Sequence, residues 1–136
     1  MIFQGLIDKS IEDNQLLGVL SKIFNISTQK IFITEDIYAL DIKLKEDTEI
    51  LCEKTNIKGD FICKITIYLR SQHLKEKQLI EENVFFEFCN LIDCRCLISD
   101  DSHNPYTMIL LTPNDKKNVV LNPDDLDNDI YTIQKQ

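Results

Sequence analysis

Glycine and proline are scarce in this chain, with three residues of each among 136. Because both residue types interrupt helices and strands, their scarcity predicts that most of the chain forms regular secondary structure. Three glycines could hardly build a glycine-rich phosphate-binding loop. The sequence contains neither a P-loop nor the G-x-S-x-G turn of serine hydrolases. The chain therefore carries no recognisable nucleotide-binding or hydrolase motif.

Basic residues are fewer than acidic residues. The chain has 15 Lys and Arg against 23 Asp and Glu, which gives a net charge of −8. Binding to the phosphates of nucleic acid or of an anionic membrane requires a positive surface. The charge balance therefore argues against nucleic-acid and membrane partners. It is compatible with simple solubility and also with a basic protein partner.

The sequence lacks long apolar runs, and its first residues predict no signal peptide. Its apolar runs fall far below the ~20 residues that span a bilayer, and its start has no basic region. Without a signal peptide, an odd number of cysteines, here five, favours reduced thiols over a disulfide framework. These absences predict a cytoplasmic protein.

Hydrophobic periodicity predicts two amphipathic helices and a series of strands. Apolar side chains recur at three- and four-residue spacing over residues 11–24, with Ser10 as the expected N-cap, and over residues 75–91. On the second helix, the glutamates expected on the solvent side are Glu76, Glu81, Glu82 and Glu87. Strands are expected over residues 31–34, 49–55, 61–70, 95–99, 108–112, 118–121 and 129–135, and residues 1–7 are expected to form a short strand or a packed arm. Residues 35–45 are ambiguous, and a strand over 40–44 is slightly favoured over a helix.

Short connections between the strands favour antiparallel pairing, because a parallel pair needs a long crossover. The predicted fold is α+β: a single, mostly antiparallel twisted sheet of about five to seven strands, with two helices packed on one face. At 136 residues the chain is long enough for one hydrophobic core and too short for two, so we expect a single domain over residues 1–136. Gly59, between two predicted strands, is expected at a positive φ.

Cysteine and histidine are the residues that could carry metal or nucleophilic chemistry. Cys94 and Cys96 form a C-x-C pair whose sulfurs share one face of a strand, and Cys89 and His103 lie near them in sequence. Structural zinc, however, requires two paired ligand sets, and the sequence has no second pair. We expect the thiols to pack in the core as small apolar groups, and we predict no metal and no cofactor.

A small cysteine enzyme is a further hypothesis. A catalytic thiolate needs a neighbouring base or positive charge, and His103, beside Asp101, could supply one. The cysteines, however, lie in predicted helices and strands among apolar neighbours, where a thiol stays neutral. We therefore assign no catalytic residue.

Residues 125–129 imitate the start of a calcium-binding loop, D-x-D-x-D. The rest of that motif fails, because Ile130 stands where the sharp turn requires glycine and Gln136 stands where a bidentate glutamate is needed. The segment that begins at Pro123 is more simply an acidic turn.

Two loops in the last third of the chain concentrate carboxylates. If neighbouring strands bring both loops to one edge of the sheet, they form a negative rim that attracts a basic protein, with an aromatic residue as anchor. The candidate partner-binding residues are Asp100, Asp101, Asn104, Tyr106, Asp124, Asp125 and Asp127. The alternative is that Asn104-Pro105-Tyr106 only shapes a turn.

The segment LISDDSHNPYTMILL, residues 97–111, and the acidic tail NPDDLDNDIYTI resemble small acidic bacterial proteins encoded beside toxins. These are the immunity proteins of contact-dependent inhibition and related polymorphic toxin systems. The resemblance implies a cytoplasmic protein that binds one toxin domain tightly and blocks it. Such toxins are often basic nucleases, which would suit an acidic rim. No functional residue carries over from the family, so the rim residues follow from the charge argument alone.

A second resemblance competes with the first. Small acidic α+β chaperones of type III secretion have a similar size, a low isoelectric point and the same order of helix, strands, helix, strands. That resemblance implies a dimer that wraps an unfolded effector segment, although the last predicted element here is a strand where that family usually ends in a helix. We expect a non-enzymatic inhibitor of the immunity class, with the chaperone and the Cys–His enzyme as alternatives and the oligomeric state left open.

Overall fold

A seven-stranded, mixed but mostly antiparallel sheet with two main helices packed on it dominates the computed structural model, which describes residues 1–39 and 44–135. The strands are β1 (Ile2–Ile7), β2 (Ile31–Thr34), β3 (Ile50–Asn56), β4 (Lys58–Gly59), β5 (Cys63–Leu69), β6 (Cys96–Ser99), β7 (Thr107–Leu111), β8 (Lys116–Val120) and β9 (Ile130–Tyr131). The helices are α1 (Asp13–Phe24), α2 (Gln72–Lys75), α3 (Glu81–Ile92) and α4 (Pro123–Leu126), with 3₁₀ turns at Thr28–Lys30 and Ile37–Ala39. The fold class is α+β, as the sequence predicts.

The order of strands across the main sheet is β2-β3-β5-β1-β6-β7-β8. Its one parallel pair among the described residues is β2 with β3, and the other neighbouring pairs are antiparallel. The segment that joins β2 to β3 has the dozen or more residues that a parallel connection requires. A separate small sheet consists of β4 and β9, which are parallel.

The alternation of side chains along the strands divides the hydrophobic core between the two faces of the sheet. On one face, α1 and α3 cover alternate residues of β1, β3, β5, β6 and β7. On the other face, α4 and β9 lie over a smaller cluster around Leu6, Phe61, Leu97, Leu110 and Leu121. The prediction that two helices pack on one face is confirmed, and the sequence did not predict that the chain's last elements cover part of the other face.

The two helices begin later than the sequence predicts. Helix α1 begins at Asp13, and its N-cap position is Glu12, whose side chain makes no capping hydrogen bond, so the assignment of Ser10 as N-cap is wrong. The predicted helix over residues 75–91 is wrong over residues 76–80, which separate two helices. A separate short helix, α2, is capped by Ser71, whose Oγ accepts a hydrogen bond from Leu74 N at 3.2 Å. Gln78 then takes a left-handed φ of 53°, which a continuous α-helix does not allow.

The C-terminal segment is less regular than the predicted strand over residues 129–135. It contributes the two-residue β9 and then one antiparallel bridge between Ile133 and Leu121. The acidic turn expected from Pro123 is a short helix, α4, whose N-cap Asn122 accepts a hydrogen bond from Asp125 N through Oδ1 at 3.0 Å.

Two further expectations concern loops. Gly59 has the positive φ that was expected, 114°, although its loop also contains β4. Residues 40–43 of the strand predicted over 40–44 lie outside the described residues.

In the described part of the chain, each helix is too short or too polar to pass through a lipid bilayer.

The close packing of α3 on the sheet depends on the absence of a side chain at Gly5. This residue lies in β1 on the face that α3 covers, and a Cβ there would lie 2.6 Å from Phe85 Cε1 and 2.9 Å from Cys96 Sγ. Phe85 also stacks on Phe88, with ring centroids 5.3 Å apart. Because protein interiors are packed at crystal-like density, neither neighbour can move without disturbing others.

Gly5→Ala is therefore expected to lower the free energy of unfolding by about 1–3 kcal/mol, through overpacking against Phe85. The matched control is Gly18→Ala, because Gly18 is an exposed position within α1 where an added Cβ meets no atom within 4 Å. That control is expected to raise stability by about 0.5–1 kcal/mol. Urea unfolding measures both, and equal effects of the two substitutions would contradict the packing described for β1 and α3.

Candidate functional site

The register of β6, β7 and β8 brings the two acidic loops to the same end of the sheet. Ser99, the last residue of β6, is paired with Met108, and Val120, the last residue of β8, is paired with Thr107. In an antiparallel sheet, strands that are two apart run in the same direction, so both of these strands end on the same side. The loop 100–106 and the segment that begins at Asn122 are therefore neighbours, as the sequence hypothesis requires.

A hydrogen bond between side chains joins the two loops. Tyr106 Oη donates to Asp127 Oδ1 at 3.2 Å, and the Tyr106 carbonyl oxygen accepts from Leu121 N at 2.7 Å. The hydrogen bond to Asp127 and the charge of its carboxylate raise the pKa of Tyr106, and the charge of Asp124 adds to the effect. We use the name acidic rim for the seven residues that these two loops bring together: Asp100, Asp101, Asn104, Tyr106, Asp124, Asp125 and Asp127.

The first loop of the acidic rim is organised by its own short polar side chains. Asp100 Oδ1 accepts from Ser102 N at 3.0 Å, and Asn104 Oδ1 accepts from Tyr106 N at 3.0 Å. The Thr107 hydroxyl and the Ser102 hydroxyl and N–H lower the pKa of Asp100, so this carboxylate stays charged. Asn104 therefore shapes the turn, which agrees with the alternative interpretation of this residue.

The residues of the acidic rim differ in their solvent exposure. Asp101, Asn104, Asp124 and Asp127 are exposed. Asp100, Tyr106 and Asp125 are half-buried. Asp101 has a left-handed φ of 59°, a conformation that Asp tolerates better than most side chains. The rim is thus an exposed negative surface around one half-buried aromatic ring.

One residue beside the acidic rim was missed by the sequence analysis. Glu81, at the start of α3, was expected on the solvent side but is half-buried, and its Oε2 accepts from Gln4 N of β1 at 3.0 Å. Burial raises the pKa of Glu81, and the nearby charge of Asp101 raises it further, while the hydrogen bond from Gln4 opposes both effects. No local signal could have revealed this contact, because its partners are 77 residues apart in the sequence.

All five cysteines are buried, whereas His103 is exposed on the loop 100–106. Burial is the main cause that raises the pKa of Cys52 to about 12 and the pKa of Cys96 well above its ordinary value. Cys94, Cys96 and Ile98 share the helix-covered face of the sheet, as the C-x-C spacing predicts. Within residues 1–39 and 44–135, no group of three or more Cys, His, Asp or Glu side chains has the arrangement of a metal site.

No protein-family model, curated protein or solved structure matches this chain. Membership of the immunity-protein class therefore stays a prediction from the sequence.

Asp127→Asn is expected to lower the pKa of Tyr106 toward its ordinary value, because the substitution removes the carboxylate that disfavours the phenolate. NMR titration of the Tyr106 ring against pH measures the change. The control is Asp129→Asn, which removes a nearby exposed carboxylate at a position whose left-handed φ of 60° Asn tolerates. A Tyr106 pKa that responds equally to both substitutions would show that the two loops are not joined in solution.

Proposed function

We propose that this protein is an inhibitor of the immunity type, which neutralises a toxin domain by binding it directly through the acidic rim. The observation that carries the proposal is the Tyr106–Asp127 hydrogen bond, which unites two carboxylate-rich loops into one surface. A continuous negative surface attracts a cationic macromolecule and repels nucleic acid.

The placement of the lysines within β8 supports the proposal, although Lys135 of the C-terminal segment lies near Val120. The nearest strand, β8, carries Lys116 and Lys117, but both lie at the end away from the acidic rim. Four steps of extended chain, about 13 Å, separate Val120 from Lys116, which exceeds the Debye length of about 8 Å at physiological ionic strength. Lys116 is moreover paired with Glu82 at 2.7 Å. The rim is therefore poorly neutralised by its own strand.

The chemistry of the rim also indicates the kind of partner. Exposed carboxylates on two adjoining loops complement lysines and arginines that are spread over a folded surface, and Tyr106 offers part of an aromatic ring at their centre. A nuclease-type toxin carries such a basic surface, because it must hold phosphates. An inhibitor that covers that surface would block access of the nucleic acid.

A secretion chaperone is the second candidate, and the β8 edge of the main sheet favours it. Up to residue 135, the C-terminal segment occupies only the Val120 end of that edge, where the Val120 carbonyl oxygen accepts from Gln134 N at 2.7 Å. β8 is the last strand in the order, and a groove of about 540 Å³ lies between its residues 117–120 and the C-terminal residues 133–135. An extended effector segment can add to such an edge as another strand. The Cys–His enzyme has no comparable support in the described part of the chain, since the thiols are buried and His103 is exposed.

Co-expression with the toxin domain encoded beside the gene tests the proposal. The immunity function predicts that cells producing both proteins grow, and that light scattering finds a one-to-one complex with a folded domain. A stable homodimer that binds only an unfolded segment would replace the proposal with the chaperone. Growth arrest despite soluble production of both proteins would reject the immunity function.

Removing charge from the acidic rim is expected to slow association with that domain. Asp101→Asn/Asp124→Lys leaves Asp100 and Asp127, which organise the loops, in place. The association rate at low salt is expected to fall by about tenfold, with a weaker salt dependence, because steering depends on these charges. Stopped-flow fluorescence measures the rate.

The matched control for this variant is Glu46→Gln/Asp47→Lys. Both residues are exposed and precede β3, on the opposite half of the sheet, and the change in net charge is the same. The control should associate nearly as fast as the parent. If both variants slow association equally, net charge matters and the acidic rim is not the binding surface.

A further inference from the structure

The main sheet is split between β1 and β6. The two strands pair only at Leu6 with Leu97 and at Ile7 with Cys96, although β1 continues to Ile2 and β6 to Ser99. Continuing the antiparallel register by two residues would pair Gln4 with Ser99. The Gln4 N–H instead donates to the Glu81 carboxylate of α3, at 3.0 Å. The two strands therefore separate beside the loop that carries Asp100 and Asp101.

The backbone groups that face this split follow from the alternation of hydrogen bonds along each strand. The Arg95 carbonyl oxygen accepts from Asp8 N, and Met1 accepts from Leu69 N on the other side of β1. Because a strand residue directs its N–H and C=O to the same side, the carbonyl oxygens of Gln4 and Ser99 both face the split. Neither has the strand partner that a continuous ladder would provide.

A cavity of about 270 Å³ occupies the split. The residues that line it include the polar Gln4, Glu81 and Ser99, and also Leu97, Met108 and the aromatic Tyr131. The Glu81 carboxylate and the two carbonyl oxygens only accept hydrogen bonds, and they outnumber the one backbone donor on this side that is not bonded to Glu81, the Ser99 N–H. An aromatic ring attracts cations over its face. This combination complements a flat cation that carries several N–H donors.

We propose that the split between β1 and β6 receives one arginine side chain from the protein that binds the acidic rim. The proposal rests on the proposed function, and it adds an anchoring pocket to a surface that otherwise offers only exposed charges. The guanidinium group presents five donors in a planar fork, which suits a carboxylate with neighbouring carbonyl oxygens. The raised pKa of Glu81 agrees with this assignment, since burial and the charge of Asp101 leave the carboxylate poorly compensated.

Titration of the protein alone with methylguanidinium tests the pocket. We expect saturable shifts in the amide resonances of Gln4 and Ser99 in ¹H–¹⁵N spectra, with no such shifts for neutral methylurea. Glu81→Gln keeps an oxygen that can accept from Gln4 N but removes the charge, and it is expected to weaken methylguanidinium binding by about tenfold or more. The matched control is Glu87→Gln, an exposed glutamate of the same helix, which should bind like the parent.

A second variant tests whether Glu81→Gln weakens methylguanidinium binding only because it disturbs the sheet. Met108→Phe narrows the cavity from its apolar side and leaves the Glu81–Gln4 hydrogen bond in place, and it should also weaken binding. Shifts confined to residues 100–106 and 123–127 would overturn the proposal, as would unchanged binding by Glu81→Gln. Tighter binding of butylammonium than of methylguanidinium would overturn the assignment of arginine.

The titration also separates this proposal from the proposed function, because no partner protein is present. A partner that binds the acidic rim while methylguanidinium leaves Gln4 and Ser99 unshifted would refute the pocket alone. If methylguanidinium binds in the split but the rim variant associates with the partner as fast as the parent, the acidic rim is refuted as the docking surface.

Discussion

The antiparallel register of β6, β7 and β8 is the constraint on which the candidate site depends. It makes the ends of β6 and β8 coincide, so that two loops separated by two whole strands in the sequence become neighbours. The Tyr106–Asp127 hydrogen bond joins the loops only because the register has already brought them together. A shift of one residue would turn Met108 and Leu110 to the opposite face of the sheet and move both loops, so the core and the rim are determined by the same pairing.

Gathering carboxylates at one end of a sheet opposes folding, because like charges repel across both loops. Solvent exposure keeps this cost small, since exposed charges are screened by water and salt. The loops hold their conformation through neutral groups, such as the Asn104 side chain bonded to Tyr106 N and the Asn122 side chain bonded to Asp125 N. Among the rim carboxylates, Asp100 accepts from the Ser102 backbone N–H and Asp127 accepts from the Tyr106 hydroxyl, and the others are available to a partner.

At the split between β1 and β6, a side chain of a helix replaces one of the missing hydrogen bonds between the strands. Glu81 satisfies the Gln4 N–H where Ser99 would have done so. A carboxylate that is half-buried next to Asp101 is costly unless a cation compensates it. The same local arrangement thus completes the sheet around β1 and creates the acceptor-rich cavity, which lies next to the acidic rim.

The sequence by itself determined the α+β class, the bounds of β2, the buried faces of the strands and the two carboxylate-rich loops, because these follow from local periodicity and composition. The sequence pattern placed the start of α3 too early and Glu81 on the solvent side. Helical periodicity does not reveal a break at Gln78 or a hydrogen-bond partner 77 residues away. Only the tertiary structure decided that β1 and β6 separate at Gln4 and that Tyr106 meets Asp127. Both results depend on strand order and register, which arise from contacts between distant residues.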